Sequence, residues 1–407
     1  MSENPNWLET RCSKRIKQAH EQNLLRRRRA VVSADSRQCR FEDQNQPCLN
    51  FSSNDYLGIA SGLALPARQG YGAGASPLVN GYWVDHQAFE QRVANYLGFE
   101  AALLMSSGYS ANADGLATLL QTDDLVFGDR LNHSSLTSGV IASGARLRRY
   151  RHNDLDDLKR LIEQTPLVAG GQRWIVTDAV FSMDGDVAPL VELANAAKEI
   201  GAALVVDDAH GFGVFGGGRG TIAALGLSAG DVDLLVVTFG KAVGASGACI
   251  CAKRVIIDAL VQSCRAYIYS TAMPPAMVDI LHNCFLNMQQ AHAARAHLAT
   301  ISQYATKQLH NLLEQKYAWL VSSQISKNQV DDMLHPVLPL VVNTVSRALA
   351  IGANLEAAGF LVGVIRPPTV PIARLRIAVN ALHELEDIDD LIDAIDIALE
   401  LTAIQGN

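Results

Sequence analysis

Long apolar runs are missing from this sequence. Although 49% of its 407 residues are hydrophobic, no stretch reaches the roughly 20 apolar residues that a bilayer-spanning helix needs. The opening residues, MSENPNWLETRCSKRIKQ, hold no apolar signal core, and a cytoplasmic protein is expected. An excess of positive charge is missing too: 34 Lys and Arg stand against 41 Asp and Glu, for a net charge of −7. That removes any global pull toward nucleic acid or anionic membranes, so an anionic ligand needs a local basic site. Cysteine patterning is also absent. The seven cysteines are odd in number, and no Cys-x-x-Cys occurs among Cys12, Cys39, Cys48, Cys249, Cys251, Cys264 and Cys284. Neither a disulfide framework nor a zinc site is indicated, and no metal is expected. There is no internal repeat and no low-complexity tail.

What is present is an alternation of helical and strand patterns. Residues 7–30 are polar, basic and helix-prone, and CLNFSSNDYLG (48–58) reads as a short strand and turn. AFEQRVANYLG (88–98) reads as a helix closed by Gly98. EAALLMSSGYSANADGLATLL (100–120) reads as strand, glycine turn, helix. RWIVTDAVFSM (173–183), AALVVDDAH (202–210) and DLLVVTFGK (233–241) are short, nearly continuous apolar runs. Such runs suit strands buried on both faces of a parallel sheet. After about residue 290 a long helical pattern, strand-like HPVLPLVV and RLRIAVN, and the amphipathic DIDDLIDAIDIALEL suggest an α+β unit. The expected organisation is an N-terminal helical segment (1–48), a large α/β domain with a mostly parallel sheet (49–289) and a smaller α+β C-terminal domain (290–407).

Each apolar run ends in polar residues, and open α/β sheets bind ligands at the carboxyl ends of their strands. Ser182, Asp207, His210, Thr238 and Lys241 are therefore expected to converge. A strand-end lysine is ordinarily a snorkelling surface residue. Burial disfavours its charge, however, and a neutral amine can attack a carbonyl. Gly240, Ala242, Gly244 and Ala245 leave room beside Lys241 for a planar cofactor. The adjacent carboxylates of VVDDAHGFG read as metal ligands, as turn residues, or as one pole of a cofactor whose other pole is Lys241. His133, in DRLNHSSL, reads as a capping or core histidine, or as a ring stacked on a cofactor. Gly108 and Tyr109, in SSGYSAN, open a helix whose free N–H groups favour phosphate.

Residues 211–216, Gly-Phe-Gly-Val-Phe-Gly, match the dinucleotide fingerprint literally. A nucleotide-binding oxidoreductase is the different-class alternative this raises. The fingerprint requires a strand directly before its first glycine and a helix after its third. Here Asp-Asp-Ala-His intervenes and Gly217-Gly218-Arg219-Gly220 follows, which argues against it.

Taken together, NFSSNDYLG, DRLNHSSL, HND, VFSMDGD, VVDDAHGFG, TFGK and YSTAMPP resemble the α-oxoamine synthases. These are fold-type-I (aspartate aminotransferase-like) pyridoxal 5'-phosphate transferases that condense an amino acid with an acyl thioester, and the resemblance spans about 48 to 395. It implies that Lys241 is the Schiff-base lysine and that Asp207 pairs with the pyridine nitrogen. His210 would meet the phenolic oxygen with Ser182 beside it, and His133 would stack on the ring and meet substrate. Gly108, Tyr109 and Thr238 would hold the phosphate, and Thr271 would reach the phosphate of the partner subunit in a homodimer with its site at the interface. Arg376 would hold the amino acid carboxylate, while Arg26 and Thr369 would line the acyl path. IRPPTVP followed by ARLRI points to the branch that joins L-alanine to a pimeloyl thioester, carried on coenzyme A or an acyl carrier protein, in biotin biosynthesis. Other branches pair glycine with acetyl-CoA, serine with a long acyl chain, or make signalling molecules.

Overall fold

The computed structural model describes residues 14, 16–24, 31–34, 37–59, 72–317, 320 and 335–404. They divide into two compact units. One comprises Asn54–Thr300 and Ser326–Pro336, the other Met1–Ser53, Ile301–Ile325 and Val337–Asn407. In chain order the strands are β1 (Val31–Ala34), β2 (Gln38–Phe41), β3 (Cys48–Phe51), β4 (Ala101–Met105) and β5 (Leu125–Asp129). Then come β6 (Arg146–Tyr150), β7 (Arg173–Asp178), β8 (Ala203–Asp207), β9 (Leu234–Thr238) and β10 (Ala248–Ala252). The last three are β11 (Val337–Val341), β12 (Phe360–Ile365) and β13 (Arg374–Ala378).

The larger unit is built on a seven-stranded sheet in the order β4-β10-β9-β8-β7-β5-β6. β5 to β9 pair in parallel, and β10 runs antiparallel to both β9 and β4. The sheet is thus mostly parallel within an α/β architecture. Its central strands are buried on both faces, which explains their nearly unbroken apolar sequences. On one face Leu103, Val126, Val176, Val205, Val236 and Ile250 form a single apolar cluster with residues of the flanking helices. Cys249 and Cys251 alternate with Ile250, so they share the opposite face, fully buried. At the far edge, β6 reads RLRRY and, among the described residues, pairs only with β5. Its arginines blunt an exposed sheet edge that an apolar strand would leave open to pairing.

Three helices matter for the site: α1 (Val84–Leu97), α2 (Gly108–Leu119) and α3 (Ser134–Ser143). α1 ends as its sequence dictates, with Gly98 left-handed at φ 78° and its N–H on the Ala94 carbonyl. α2 begins where the Ser107 hydroxyl accepts the Ser110 N–H at 3.1 Å. The three central apolar runs stop being strand before they end: β7 at Asp178, β8 at Asp207 and β9 at Thr238. The polar tails beyond those points form loops at the carboxyl edge.

The smaller unit holds a six-stranded sheet in the order β1-β2-β3-β12-β13-β11, antiparallel except where β12 meets β3. β1 and β2 fall within the segment expected to be helical. They are short and partly polar; β1 pairs with β2 and β2 with β3, and only β3 joins them to a strand distant in sequence, β12. Arg37 grips Asp387 with two hydrogen bonds of 2.8 and 2.9 Å, and Phe51 stacks on His383 with ring centres 4.1 Å apart. Among the described residues no helix is long and apolar enough to cross a membrane.

Candidate active site

The carboxyl edge of the larger sheet gathers most of the expected residues. Asp207 is the last residue of β8 and is buried. Its two carboxylate oxygens are each engaged: Oδ2 accepts the Asn112 side-chain N–H at 2.6 Å, and Oδ1 accepts the Ala209 N–H at 3.0 Å. On the neighbouring parallel strand, Thr238 ends β9, and Lys241 follows in the turn after it. The Thr238 hydroxyl reaches the Ala209 carbonyl at 3.4 Å. Gly108 opens α2 against this strand end: a Cβ there would stand 2.5 Å from Thr238 Cγ2. The absence of a side chain therefore brings the helix N-terminus, with its free N–H groups, beside Thr238. Tyr109 lies half exposed, its hydroxyl 3.0 Å from Ser138 Oγ.

His133 caps α3. Its N–H donates to Asp178 Oδ2 at 2.6 Å, and its ring Nδ1 lies 2.7 Å from Ser135 Oγ. Burial lowers the His133 pKa, the Asp207 carboxylate opposes, and Lys241 adds to the lowering. Burial and the Asp207 charge push Asp178 well above the usual carboxylate range, against the His133 N–H and Lys241. Lys241, His133, Asp178 and Asp207 thus share one electrostatic neighbourhood. Asp178 ends an apolar run just as Asp207 and Thr238 do, so the same signal that found those two points to it.

Beyond Asp207 the chain wraps around Asp208. That carboxylate, fully buried, accepts the Thr221 N–H and hydroxyl, both at 2.6 Å. Burial, partly offset by those bonds and reinforced by Asp207, raises its pKa to about 7. A Cβ at Gly211 would stand 1.9 Å from Thr221 Oγ1 and 2.3 Å from Asp208 Oδ1, and one at Gly220 would stand 2.1 Å from Asp208 Oδ2. The first glycine of the apparent dinucleotide fingerprint, Gly211, thus closes this loop on Asp208 together with Gly220, while Gly213 packs against Ala242 and Gly216 against Ala223 and Ala224. β8 ends four residues before Gly211, and a three-residue 3-10 turn at Gly216–Gly218 and a one-turn helix at Thr221–Ala224 follow in place of a long helix opened by the third glycine. His210, in the same loop, has its Nδ1 2.9 Å from the Tyr56 hydroxyl, and its carbonyl lies 3.0 Å from His335 Nε2. Tyr56 closes NFSSNDYLG but was not singled out by the sequence; His335 has no local signal.

Ser182 sits in the loop after β7, which doubles back through a Val180–Val187 bridge and the Phe181 N–H to Asp186 carbonyl bond at 2.9 Å. HND anchors this loop. The His152 ring lies between Asp129 Oδ1 at 3.0 Å and Asp186 Oδ2 at 2.7 Å, edge-on to Phe181. Burial alone would lower the His152 pKa, but the hydrogen bonds and charges of Asp129 and Asp186 outweigh it and raise it to about 10. Asn153, left-handed at φ 51°, adds its N–H to Asp129 Oδ2 and its amide to Asp186 Oδ2.

Other expected residues lie elsewhere. Thr271 is exposed on the segment between the helices Arg265–Tyr269 and Pro275–Gln290, where it lines a cleft with Tyr82, His86 and Glu90. Glu90 there is buried, which raises its pKa to about 7 against hydrogen bonds from the Leu104 N–H and the Tyr82 hydroxyl. In the smaller unit Arg376 is buried on β13, on the same strand face as Arg374, and Thr369 is exposed in a turn whose N–H donates to the Arg366 carbonyl. Arg26 lies outside the described residues.

A lysine amine, a buried carboxylate on the adjacent strand and an unobstructed helix N-terminus make a donor set for a phosphorylated heteroaromatic aldehyde. The family model for class I and II aminotransferases matches residues 46–395. The 8-amino-7-oxononanoate synthase of Alkalilimnicola ehrlichii is 41% identical over 384 residues, covering 92% of this chain and 94% of its own. That of Cellvibrio japonicus is 38% identical over 413 residues, covering 99% of each. Among solved structures, serine palmitoyltransferase of Sphingomonas wittichii matches with a TM-score of 0.83 at 25% identity over 98% of both chains. The 8-amino-7-oxononanoate synthase of Francisella tularensis matches with a TM-score of 0.70 at 27% identity, over 87% of this chain and 98% of its own.

Proposed function

This chain belongs to the class I and II aminotransferase family, and from that premise we propose that it is a pyridoxal phosphate-dependent C-acyltransferase joining L-alanine to a pimeloyl thioester. The products are 8-amino-7-oxononanoate, carbon dioxide and the free thiol, so the step belongs to biotin biosynthesis. The observation that carries the chemistry is the placement of Asp207 and Lys241 at the ends of adjacent parallel strands, with the α2 N-terminus against Thr238. The choice of substrates is supported by identities of about 40% to 8-amino-7-oxononanoate synthases over nearly the whole chain.

The residues fit the cofactor. The glycine cradle at Gly108 would be filled by any Cβ, and the two-sided grip on Asp207 holds its carboxylate oriented. When bound, pyridoxal phosphate supplies an aldehyde that captures amines covalently and a protonated ring that takes up an electron pair from Cα. Lys241 would hold the cofactor covalently at rest, and its amine, once freed, would serve as the general base for the alanine Cα proton. Asp207 keeps the proton on the ring nitrogen by its charge. His210, with Tyr56, would meet the phenolic oxygen with Ser182 beside it, and His133 would cover the ring and meet the incoming substrate. Gly108, Tyr109 and Thr238 hold the phosphate through N–H and hydroxyl donors. Arg376 is assigned to the amino acid carboxylate, Arg26 and Thr369 to the acyl chain, and Thr271 to the partner subunit's phosphate in a homodimer. A cytoplasmic location accords with this role.

A steady-state assay crossing alanine, glycine and serine with pimeloyl, acetyl and long-chain acyl thioesters tests the substrates. Alanine with a pimeloyl thioester is expected to give the highest kcat/KM. Turnover of serine with a long-chain acyl thioester, or of glycine with acetyl-CoA, in its place would overturn the assignment.

A further inference from the structure

Asn112 was not anticipated as a functional residue, yet its side chain touches both halves of the site. It lies in α2, 1% exposed. Its Nδ2 carries two hydrogens and no lone pair. One hydrogen goes to Asp207 Oδ2 at 2.6 Å and the other to Ser135 Oγ at 3.0 Å. The Ser135 hydroxyl, accepting from Asn112, turns its own hydrogen to His133 Nδ1 at 2.7 Å, where the Ser135 N–H also points at 3.3 Å. Nδ1 therefore presents its lone pair, and the proton of the neutral ring sits on Nε2.

The direction of this chain is fixed at its source. Flipping the amide would set Asn112 Oδ1 against the Asp207 carboxylate, two acceptors in contact. In the orientation observed, Oδ1 is buried with no hydrogen-bond partner among the described residues. An unmet buried acceptor is a cost, and it is borne here so that both hydrogens can be donated. Close packing of α2 and α3 makes the contact geometrically available. A Cβ at Gly139 would stand 2.8 Å from both the Ala113 carbonyl oxygen and Leu116 Cβ, and 2.9 Å from the Asn112 carbonyl oxygen. Only glycine lets α3 approach closely enough to bring Ser135 to Asn112.

We propose that Asn112 is a positioning residue that fixes the plane of the Asp207 carboxylate and, through Ser135, the Nε2-protonated tautomer of His133. The proposal rests on the reading of Asp207 as the partner of the cofactor's ring nitrogen. One donor per oxygen, Asn112 on Oδ2 and Ala209 on Oδ1, holds the carboxylate against rotation. The same amide then ties the orientation of the acid to the donor that His133 offers.

The two halves separate by variant. Asn112→Ala removes the Asp207 contact, and Ser135→Ala removes the hydroxyl on His133 while leaving Asp207 gripped. Binding of pyridoxal phosphate to each apoprotein is followed by absorbance, and the His133 tautomer by ¹⁵N NMR of histidine-labelled apoprotein. For Asn112→Ala the cofactor dissociation constant is expected to rise about tenfold or more, as for loss of a charge-assisted hydrogen bond. For Ser135→Ala it is expected to change less than about threefold while the Nδ1-protonated tautomer of His133 becomes populated. Unchanged cofactor affinity in Asn112→Ala, or an unchanged His133 tautomer in Ser135→Ala, overturns the proposal. Wild-type apoprotein that takes up no pyridoxal phosphate overturns the reading of the site beneath it as well.

Discussion

His133 and His152 stand on the same carboxyl edge, each within hydrogen-bond reach of its neighbours, and their protonation is driven in opposite directions. His133 receives a hydroxyl hydrogen at Nδ1; burial lowers its pKa, Asp207 opposes this and Lys241 adds to it. His152 lies between two carboxylates, and its pKa is raised to about 10. One histidine is kept neutral, with a defined N–H to offer. The other is a fixed cation that latches the Ser182 loop to the ends of β5 and β6. Ring chemistry is the same and burial lowers the pKa of both; two carboxylate partners reverse it at His152, while His133 has no such pair.

The comparison predicts that changes around His133 and Lys241 act on turnover, and changes around His152 act on stability. The largest effect is expected for Lys241→Ala, which should lower kcat by more than about a thousandfold, with little change in the unfolding midpoint of the apoprotein. Asp207→Asn, which keeps the shape but removes the charge, should cost on the order of a hundredfold or more in kcat. A variant of either with wild-type turnover would break the account on its chemical side.

His152→Gln should cost about 3 kcal/mol in urea unfolding, because it leaves Asp129 and Asp186 facing each other without the cation. The sign of its pH dependence follows from the raised pKa. Stabilisation by His152 is complete below its ordinary value of 6.5 and is lost as pH rises through about 10. The stability gap between wild type and His152→Gln should therefore close in alkali. A gap that stays constant across that window would show that the histidine is not held as a cation.

Gly211→Ala should destabilise by about 1–3 kcal/mol, since the new methyl must displace Thr221 or Asp208. That result would separate the glycines' structural purpose from nucleotide binding. The smallest effect is expected in the smaller unit. There Arg37, about a third exposed, grips Asp387 and, outweighing burial, holds its carboxyl below the usual range. Arg37→Ala should cost about 1 kcal/mol or less, a difference that disappears as pH falls through the Asp387 titration.

Much of the catalytic edge was legible because parallel strands buried on both faces must be apolar until they stop. Asp178, Asp207 and Thr238 mark those stops, and the loops beyond carry Ser182, His210 and Lys241. β6 was not legible, because an edge strand covered in arginine has no apolar pattern. β1 and β2 were missed because they are short, partly polar strands with no apolar pattern of their own, added to the sheet edge beyond β3. Asn112 escaped notice because a polar residue inside a helix of small residues carries no periodic signal; only the approach permitted by Gly139 gives it partners. The glycines at 211–216 show the opposite case, a literal motif match that the sequence context already argued against. Its spacing arose from close packing, of Gly211 on Asp208 and Thr221, of Gly213 on Ala242 and of Gly216 on Ala223 and Ala224.

The central claim is that Lys241 holds pyridoxal phosphate covalently while Asp207 anchors its ring. It is tested most directly by mass spectrometry of protein incubated with the cofactor, reduced with borohydride and digested. The account predicts one reduced pyridoxyl phosphate group per chain, on the peptide that contains Lys241. Modification of a different lysine, or none with the cofactor in excess, would contradict it.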